Sequence, residues 1–381
     1  MTQPQDIDSA HGTSSIHLGI DVGGTDVKLG LVDGNGAILA EDRTPTSGLG
    51  NPTAVFEFAH QFADQQMRAK NLAGVRLCGV GLAVPGVLDT QVSVIREVVN
   101  LQGWLGVPLK EELERVFELP SVVINDANSA AYAEHSLRGL GNHSLALVTL
   151  GTGVGCGMVI AGDPFGGDHG CAGELGHITI DFSDEALPCT CGSRGHLETY
   201  AGSGGVMNRM KSALKDGADS SGGSISVTEI TSPREIAAGA EAGDAICKRV
   251  IADTASYVGR AIGLIGQTVD PAVVLLGGAM TFGGNERRVG REFLETVRQT
   301  VQQTTLVQVG ENIKIEFATL GNQAGMIGAA MVARHQGIRD QELRQQGIRD
   351  RDLRDQATGP AAPGDRDSRE SVVRDSVVTR E

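Results

Sequence analysis

Two segments decide the fold: Ile16-His17-Leu18-Gly19-Ile20-Asp21-Val22-Gly23-Gly24-Thr25, and Leu145-Ala146-Leu147-Val148-Thr149-Leu150-Gly151-Thr152-Gly153-Val154-Gly155. Each is an apolar strand that runs straight into a loop of glycine and threonine. Each loop opens a second strand, Val27–Val32 and Gly157–Ile160. Glycine permits a tight turn whose N–H groups can face an anion, and Thr25 and Thr152 add hydroxyls. Asp21, at a strand end, is suited to orient Mg²⁺ through water, because magnesium sheds its hydration shell reluctantly. Alone, Asp21–Thr25 reads equally well as a glycine hairpin. Neither loop has the Gly-Lys-Ser/Thr of a Walker loop, and neither opens the helix a dinucleotide fingerprint requires. The recurrence carries the information.

The surrounding sequence gives two rounds of strands followed by helices. In the first, Asp33-Gly34-Asn35-Gly36 turns the chain into a strand at Ala37–Glu41. A helix over Thr53–Lys70 follows, with Val55, Phe58, Ala59, Phe62 and Ala63 near helical spacing. Val75–Val84 is a strand ending in Pro85-Gly86, Leu109–Phe117 a short helix, and Ser121–Ile124 a strand ending in Asn125-Asp126. Ala127–Leu137 can be a helix that this polar pair caps. In the second round Thr254–Val269 is helical, and the strand Ala272–Leu276 ends in Gly277-Gly278. Ile313–Ala318 is a late strand and Gly325–Arg334 a closing helix. The pattern predicts two α/β domains with loops at their strand ends. The expected division is a leader over 1–15, an N-terminal domain over 16–125 and a C-terminal domain over 126–321. A closing helix over 322–335 returns to the first domain. From Gln336 the composition changes, with Gln-Gly-Ile-Arg-Asp at 336 and again at 346. Without aromatics and with nearly balanced charge, 336–381 predicts a disordered or partly helical appendage.

Composition narrows the function. The 381 residues exceed the size at which one core stops growing. With 32 basic against 47 acidic residues the net charge is −15, which argues against a nucleic-acid partner. It leaves phosphate ligands open, since main-chain N–H groups bind them without net charge. No apolar run approaches the ~20 residues of a membrane span, and Met1–Ser15 lacks the apolar centre of a secretory signal. Six cysteines in so long a chain, two of them in Cys189-Thr190-Cys191, suit a reducing cytoplasm and a metal better than a disulfide scaffold.

Together the two glycine loops resemble the phosphate loops of the actin, Hsp70 and hexokinase superfold, which implies two ribonuclease-H-like domains with a cleft between them. Gly277-Gly278 would be its adenosine-side loop, although a strand-to-loop glycine pair needs no ligand. With Asn125-Asp126 the sequence resembles the ROK family of bacterial sugar kinases and repressors, over about Ile16 to Ala333. The most specific stretch is Gly173-Glu174-x-Gly176-His177, then Cys189-x-Cys191-Gly-x-x-Gly195-His196-x-Glu198. Gly321-Asn-Gln-Ala-Gly-Met-Ile-Gly-Ala-Ala330 also fits, and Val99-Asn100-Leu101-x-Gly103-Trp104 is similar to the glucokinase branch. The resemblance implies an ATP-dependent hexose kinase, with glucose the favoured sugar and a homodimer the favoured assembly. Asp126 would be the general base. Asn125, Asp126, Glu174, His177 and Glu198 would meet the sugar hydroxyls, with the Gly86 backbone nearby. Asp21, Gly23, Gly24, Thr25, Lys28, Gly151, Thr152, Gly153, Gly277 and Gly278 would serve the nucleotide and its Mg²⁺.

By the same resemblance His177, Cys189, Cys191 and a third cysteine would hold a structural Zn²⁺. Here the third cysteine is replaced by His196. Cys₂His₂ is an ordinary zinc set, so the substitution is compatible with metal. Two reduced cysteines and two histidines without metal are the alternative. Rival readings are a kinase for fructose, mannose, allose or N-acetylmannosamine, polyphosphate as the phosphoryl donor, and a repressor that binds sugar without catalysis. About fifteen residues precede the first strand, too few for a repressor's helix-turn-helix.

Overall fold

The computed structural model describes residues 15–69, 75–98, 101–217 and 231–345. The leader before Ser15, Val99 and Asn100, and the tail beyond Gln345 lie outside the described residues. The chain divides into two units, residues 1–336 and residues 337–381.

Strands β1 (Ser15–Val22), β2 (Asp26–Asp33) and β3 (Ile38–Pro45) form an antiparallel meander through the predicted turns. Helix α1 (Pro52–Ala69) leads to β4 (Arg76–Val84), which lies parallel to β1. A small hairpin of β5 (Val87–Asp89) and β6 (Val94–Glu97) precedes helix α2 (Leu109–Phe117). Strand β7 (Ser121–Asn125) then joins β4 in parallel, giving the order β3-β2-β1-β4-β7. Helix α3 (Asp126–Leu137) crosses to β8 (Leu145–Leu150), β9 (Val154–Ile160) and β10 (Asp163–Pro164), a second antiparallel trio. Helices α4 (Glu198–Ala201), α5 (Ser203–Gly217), α6 (Pro233–Glu241) and α7 (Ala245–Thr268) precede β11 (Val273–Gly277), parallel to β8. Helices α8 (Arg288–Thr304) and α9 (Val307–Asn312), strand β12 (Lys314–Phe317) and helix α10 (Ala324–Gln345) complete the chain. The second sheet runs β10-β9-β8-β11-β12, the order of the first repeated. This twice-built unit is the ribonuclease-H-like half of the actin-like ATPase fold.

The central strand β1 is buried on both faces, which is why it reads as a continuous apolar run. Each sheet has its own core. Phe56 and Trp104 meet edge-on at 6.0 Å in the first, a contact that adds about 0.5–1.5 kcal/mol beyond burial. Trp104 is therefore a core residue, and it cannot itself meet a sugar. A third core gathers Ala83 and Ile124 of one sheet, Leu145, Leu147 and Leu275 of the other, Ala131 and Tyr132 of α3, and Ala329 and Val332 of α10. Helices α3 and α10 thus sit between the sheets. Main chain meets main chain there: a Cβ on Gly81 would lie 1.9 Å from the Ala329 carbonyl oxygen, and one on Gly19 2.0 Å from that of Met326.

Two expectations need correction. Helix α7 begins at Ala245, nine residues before Thr254, because the Asp244 side chain caps it by accepting the Cys247 N–H and the buried face continues through Cys247, Val250 and Ile251. Helix α10 does not stop at Arg334. Gln, Glu, Leu and Arg are good helix formers and extend an existing helix at little cost, so the first Gln-Gly-Ile-Arg-Asp copy is helical. Helices α4, α5, α6, α8 and α9 were not foreseen.

Candidate active site

Asp126 is the first residue of α3, one residue beyond the strand end where the sequence located it. The cause is Asn125, whose Oδ1 accepts the Ala127 and Asn128 N–H groups at 2.9 and 3.2 Å, an N-cap that starts the helix at once. Asn125 Nδ2 also donates to the Gly86 carbonyl at 3.2 Å, so one side chain ties β7 to the loop after β4. Burial, then the charge of Asp21 and more weakly that of Glu174, push the Asp126 carboxyl up to about 6. Main-chain N–H groups at the helix start oppose the shift, including that of Ala127 at 2.8 Å, and burial wins.

Asp21, at the end of β1, is buried and pairs with Lys28 Nζ at 2.9 Å across the β1–β2 hairpin. Lys28 therefore neutralises Asp21 directly. In the loop between them Gly23 N–H donates to the Asp26 carbonyl, and Thr46 Oγ1 donates to that of Gly23. Gly24 and Thr25 are exposed. The start of α10 closes on Asp21, with room for no Cβ at Gly325 because the carboxylate lies 2.8–3.0 Å away.

Glu174 immediately precedes a single 3₁₀ turn, Leu175–His177, and Gly173 before it has φ +93°, a left-handed conformation only glycine adopts cheaply. Glu198 starts α4 and its Oε2 accepts the Val154 N–H at 3.2 Å. A Cβ on Gly153 would lie 2.1 Å from that oxygen, so the second glycine loop wraps Glu198. His177 and His196 face each other Nδ1 to Nδ1 at 3.4 Å; Cys191 Sγ lies 3.3 Å from His196 Nδ1 and Cys189 Sγ 3.8 Å from His177 Nδ1. All four ligand atoms lie within 4.8 Å of one another. Tetrahedral zinc with Zn–N of ~2.0 Å and Zn–S of ~2.3 Å separates its ligands by about 3.3–3.8 Å, so the cluster fits the ion. Both histidines turn Nδ1 inward, which leaves Nε2 of His177 for another partner. Burial raises the Cys189 thiol, whereas the Ser193 N–H lowers that of Cys191.

Beyond Gly151 and Thr152 opens a cavity of about 680 Å³, lined also by Ser203, Arg234, Thr281 and Arg287. Gly277 and Gly278 are not among its lining residues. Gly278, at φ +87°, packs against the Leu150 main chain and turns Ala279–Gly283 into the wall. Ser203, Arg234, Thr281 and Arg287 escaped the sequence reading. The signal available was the Ser232-Pro233-Arg234-Glu235 capping box that starts α6 at the cavity edge.

Three comparisons bear on this arrangement. The glucokinase of Halalkalibacterium halodurans is 31% identical over 322 residues, 84% of this chain and 95% of its own. The xylose repressor of Caldicellulosiruptor bescii is 30% identical over 258 residues, 67% of this chain and 62% of its own. The crystal structure of a ROK family glucokinase from Streptomyces griseus, in complex with glucose and AMPPNP, aligns with a TM-score of 0.62 at 28% identity, covering 84% of this chain and 99% of that one. The sequence profile of the ROK family matches residues 17–336, and with the repeated sheets and the Gly173–Glu198 segment in place, this chain belongs to the ROK family.

Proposed function

We propose that the protein is a sugar kinase that phosphorylates a hexose at the expense of ATP, with glucose to glucose 6-phosphate as the favoured reaction. The observation that carries this reading is Asp126: a carboxylate raised to about 6, at a helix start between the sheets, with Asp21 and Glu174 as its charged neighbours. A base of that strength is ionised at neutral pH yet accepts a proton readily.

The sugar hydroxyl that attacks the terminal phosphoryl group gives its proton to Asp126. Asn125 keeps one Nδ2 hydrogen beyond its bond to Gly86, and Glu174, Glu198 and His177 Nε2 add acceptors and a donor for the remaining hydroxyls. Asp21, held by Lys28, orients the magnesium of the nucleotide. The two glycine loops offer main-chain N–H groups to its phosphates, and the cavity lined by Arg234, Thr281 and Arg287 takes the nucleoside. Zinc, when bound, stiffens the sugar loop; four protein ligands leave no site for water. The six cysteines are free thiols, and among the described residues no helix is long and apolar enough to cross a membrane, features that suit the cytoplasm.

A coupled ADP-release assay of the full chain against glucose, mannose, fructose, allose and N-acetylmannosamine tests the reading, with glucose expected to give the highest kcat/KM. Sugar binding without ADP release would move the protein to the repressors, one of which is 30% identical over 67% of this chain. Freshly purified protein is expected to carry one zinc per chain. Chelation should raise the sugar KM several-fold more than the ATP KM, because the metal loop carries His177 and precedes Glu198. His196→Cys should keep metal and sugar affinity, whereas His196→Ala should weaken both. Elemental analysis without zinc would remove the metal from this proposal.

A further inference from the structure

The segment between Asp181 and Leu187 enters the metal loop with little apolar anchoring: Ala186 is buried, but Phe182 stands 86% exposed. Its ends are nevertheless fixed. The main-chain N–H groups of Ile180 and Asp181 both donate to the Gly195 carbonyl, and the Gly195 N–H donates to Leu187. One side-chain oxygen then bridges the same two ends. The Tyr200 hydroxyl donates to Asp181 Oδ2 at 2.6 Å and accepts the Leu187 N–H at 2.9 Å. Leu187 lies two residues before the ligand Cys189, while Tyr200 lies four residues after the ligand His196 and two after Glu198.

The phenol is a rigid post. Tyr200 is buried, and its ring packs on Tyr257 of α7 with centroids 4.9 Å apart. Its carbonyl accepts Arg209 Nη2 at 2.9 Å, and the same guanidinium reaches Thr254 Oγ1 of α7 at 2.5 Å. Helix α4 is a single turn, so a group fixed at Tyr200 fixes Glu198 as well.

We propose that Tyr200 is a positioning residue, whose hydroxyl clamps the 181–187 segment so that Cys189 stays in metal-binding position, and which joins that loop to the helix of Glu198. The inference rests on the metal and sugar roles proposed above. Outer hydrogen bonds that orient ligands commonly carry about 10–100-fold in metal affinity. Removal of one hydroxyl leaves the Tyr257 packing intact, so the clamp can be tested apart from the fold.

The test is zinc release from the full chain to a chromogenic chelator, followed with glucose and ATP kinetics and thermal melting. Tyr200→Phe is expected to release zinc about tenfold faster and to raise the glucose KM several-fold, with kcat and the ATP KM unchanged. Asp181→Ala should speed release in the same direction but less, because the Leu187 N–H keeps the Tyr200 oxygen as its acceptor. Asp181→Asn keeps an oxygen acceptor and should release at the wild-type rate. The Tyr200→Phe, Asp181→Ala double variant should release zinc at about the rate of Tyr200→Phe, because that variant already lacks the bond to Asp181. Wild-type release from Tyr200→Phe overturns the inference, and a lower Tm with unchanged release assigns the phenol a purely structural part. Wild-type protein without zinc is a separate outcome: it overturns the metal site itself.

Discussion

Asp126→Asn is expected to lower kcat about 10³-fold while changing the affinity for sugar only modestly, since the amide keeps the carboxylate's shape but accepts no proton. Binding of glucose measured by calorimetry should stay within a few-fold of wild type. The wild-type enzyme should lose turnover as the pH falls through about 6, tenfold per unit below that value, because only the ionised carboxylate is a base. The same raised carboxyl has a stability consequence of opposite sign. A folded-state pKa above the unfolded value means that the native state binds the proton more tightly. Asp126 thus favours the fold at acid pH and loses that contribution as the pH rises through about 6. Asp126→Asn removes the like charge facing Asp21 and Glu174, so the inactive variant should melt higher than wild type at pH 8. An active Asp126→Asn enzyme would place the base elsewhere; an inactive one that melts lower would show that the carboxylate holds the helix rather than opposing its neighbours.

The largest loss of stability is expected from Gly81→Ala. The new methyl would lie 1.9 Å from the Ala329 carbonyl oxygen and 2.3 Å from its carbon, atoms that cannot rotate away. Helix α10 must lift off the first sheet, which costs about 3 kcal/mol, the upper end for overpacking, because the obstacle is main chain. Urea denaturation should show the midpoint fall with little change in m. Gly48→Ala, with nothing within 4 Å of its Cβ, is the control and should be neutral to within ~0.5 kcal/mol. A Gly81→Ala protein as stable as this control would mean that α10 is not seated by direct contact with β4.

The strands and both glycine loops were legible because buried strands of Val, Ile and Leu are continuous runs, and a glycine cluster directly after such a run has few other meanings. Asp126 stood out as the proposed base only through its company. By itself, Asn125-Asp126 is also a helix cap, and the structure uses Asn125 as one. The cavity wall was hidden because Ser203, Arg234 and Arg287 come from segments that only the fold brings together. Trp104, part of the segment that resembles the glucokinase branch, is a core residue packed against Phe56. Helix α8 could have been read: Val289, Phe293, Val297 and Val301 recur at four-residue spacing and all are buried.

The seat of α10 on Gly19, Gly30 and Gly81 also sets a timetable for the newborn chain. All five strands of the first sheet are made before Asp126, but the helix that covers these glycines is encoded roughly 200 residues later, ~10–40 s of translation at 5–20 residues per second. Through that interval the sheet carries a groove cut to the shape of a helix not yet made. The N-terminal half is therefore finished last, after the half that follows it, and any helix-offering chaperone would find its opening there.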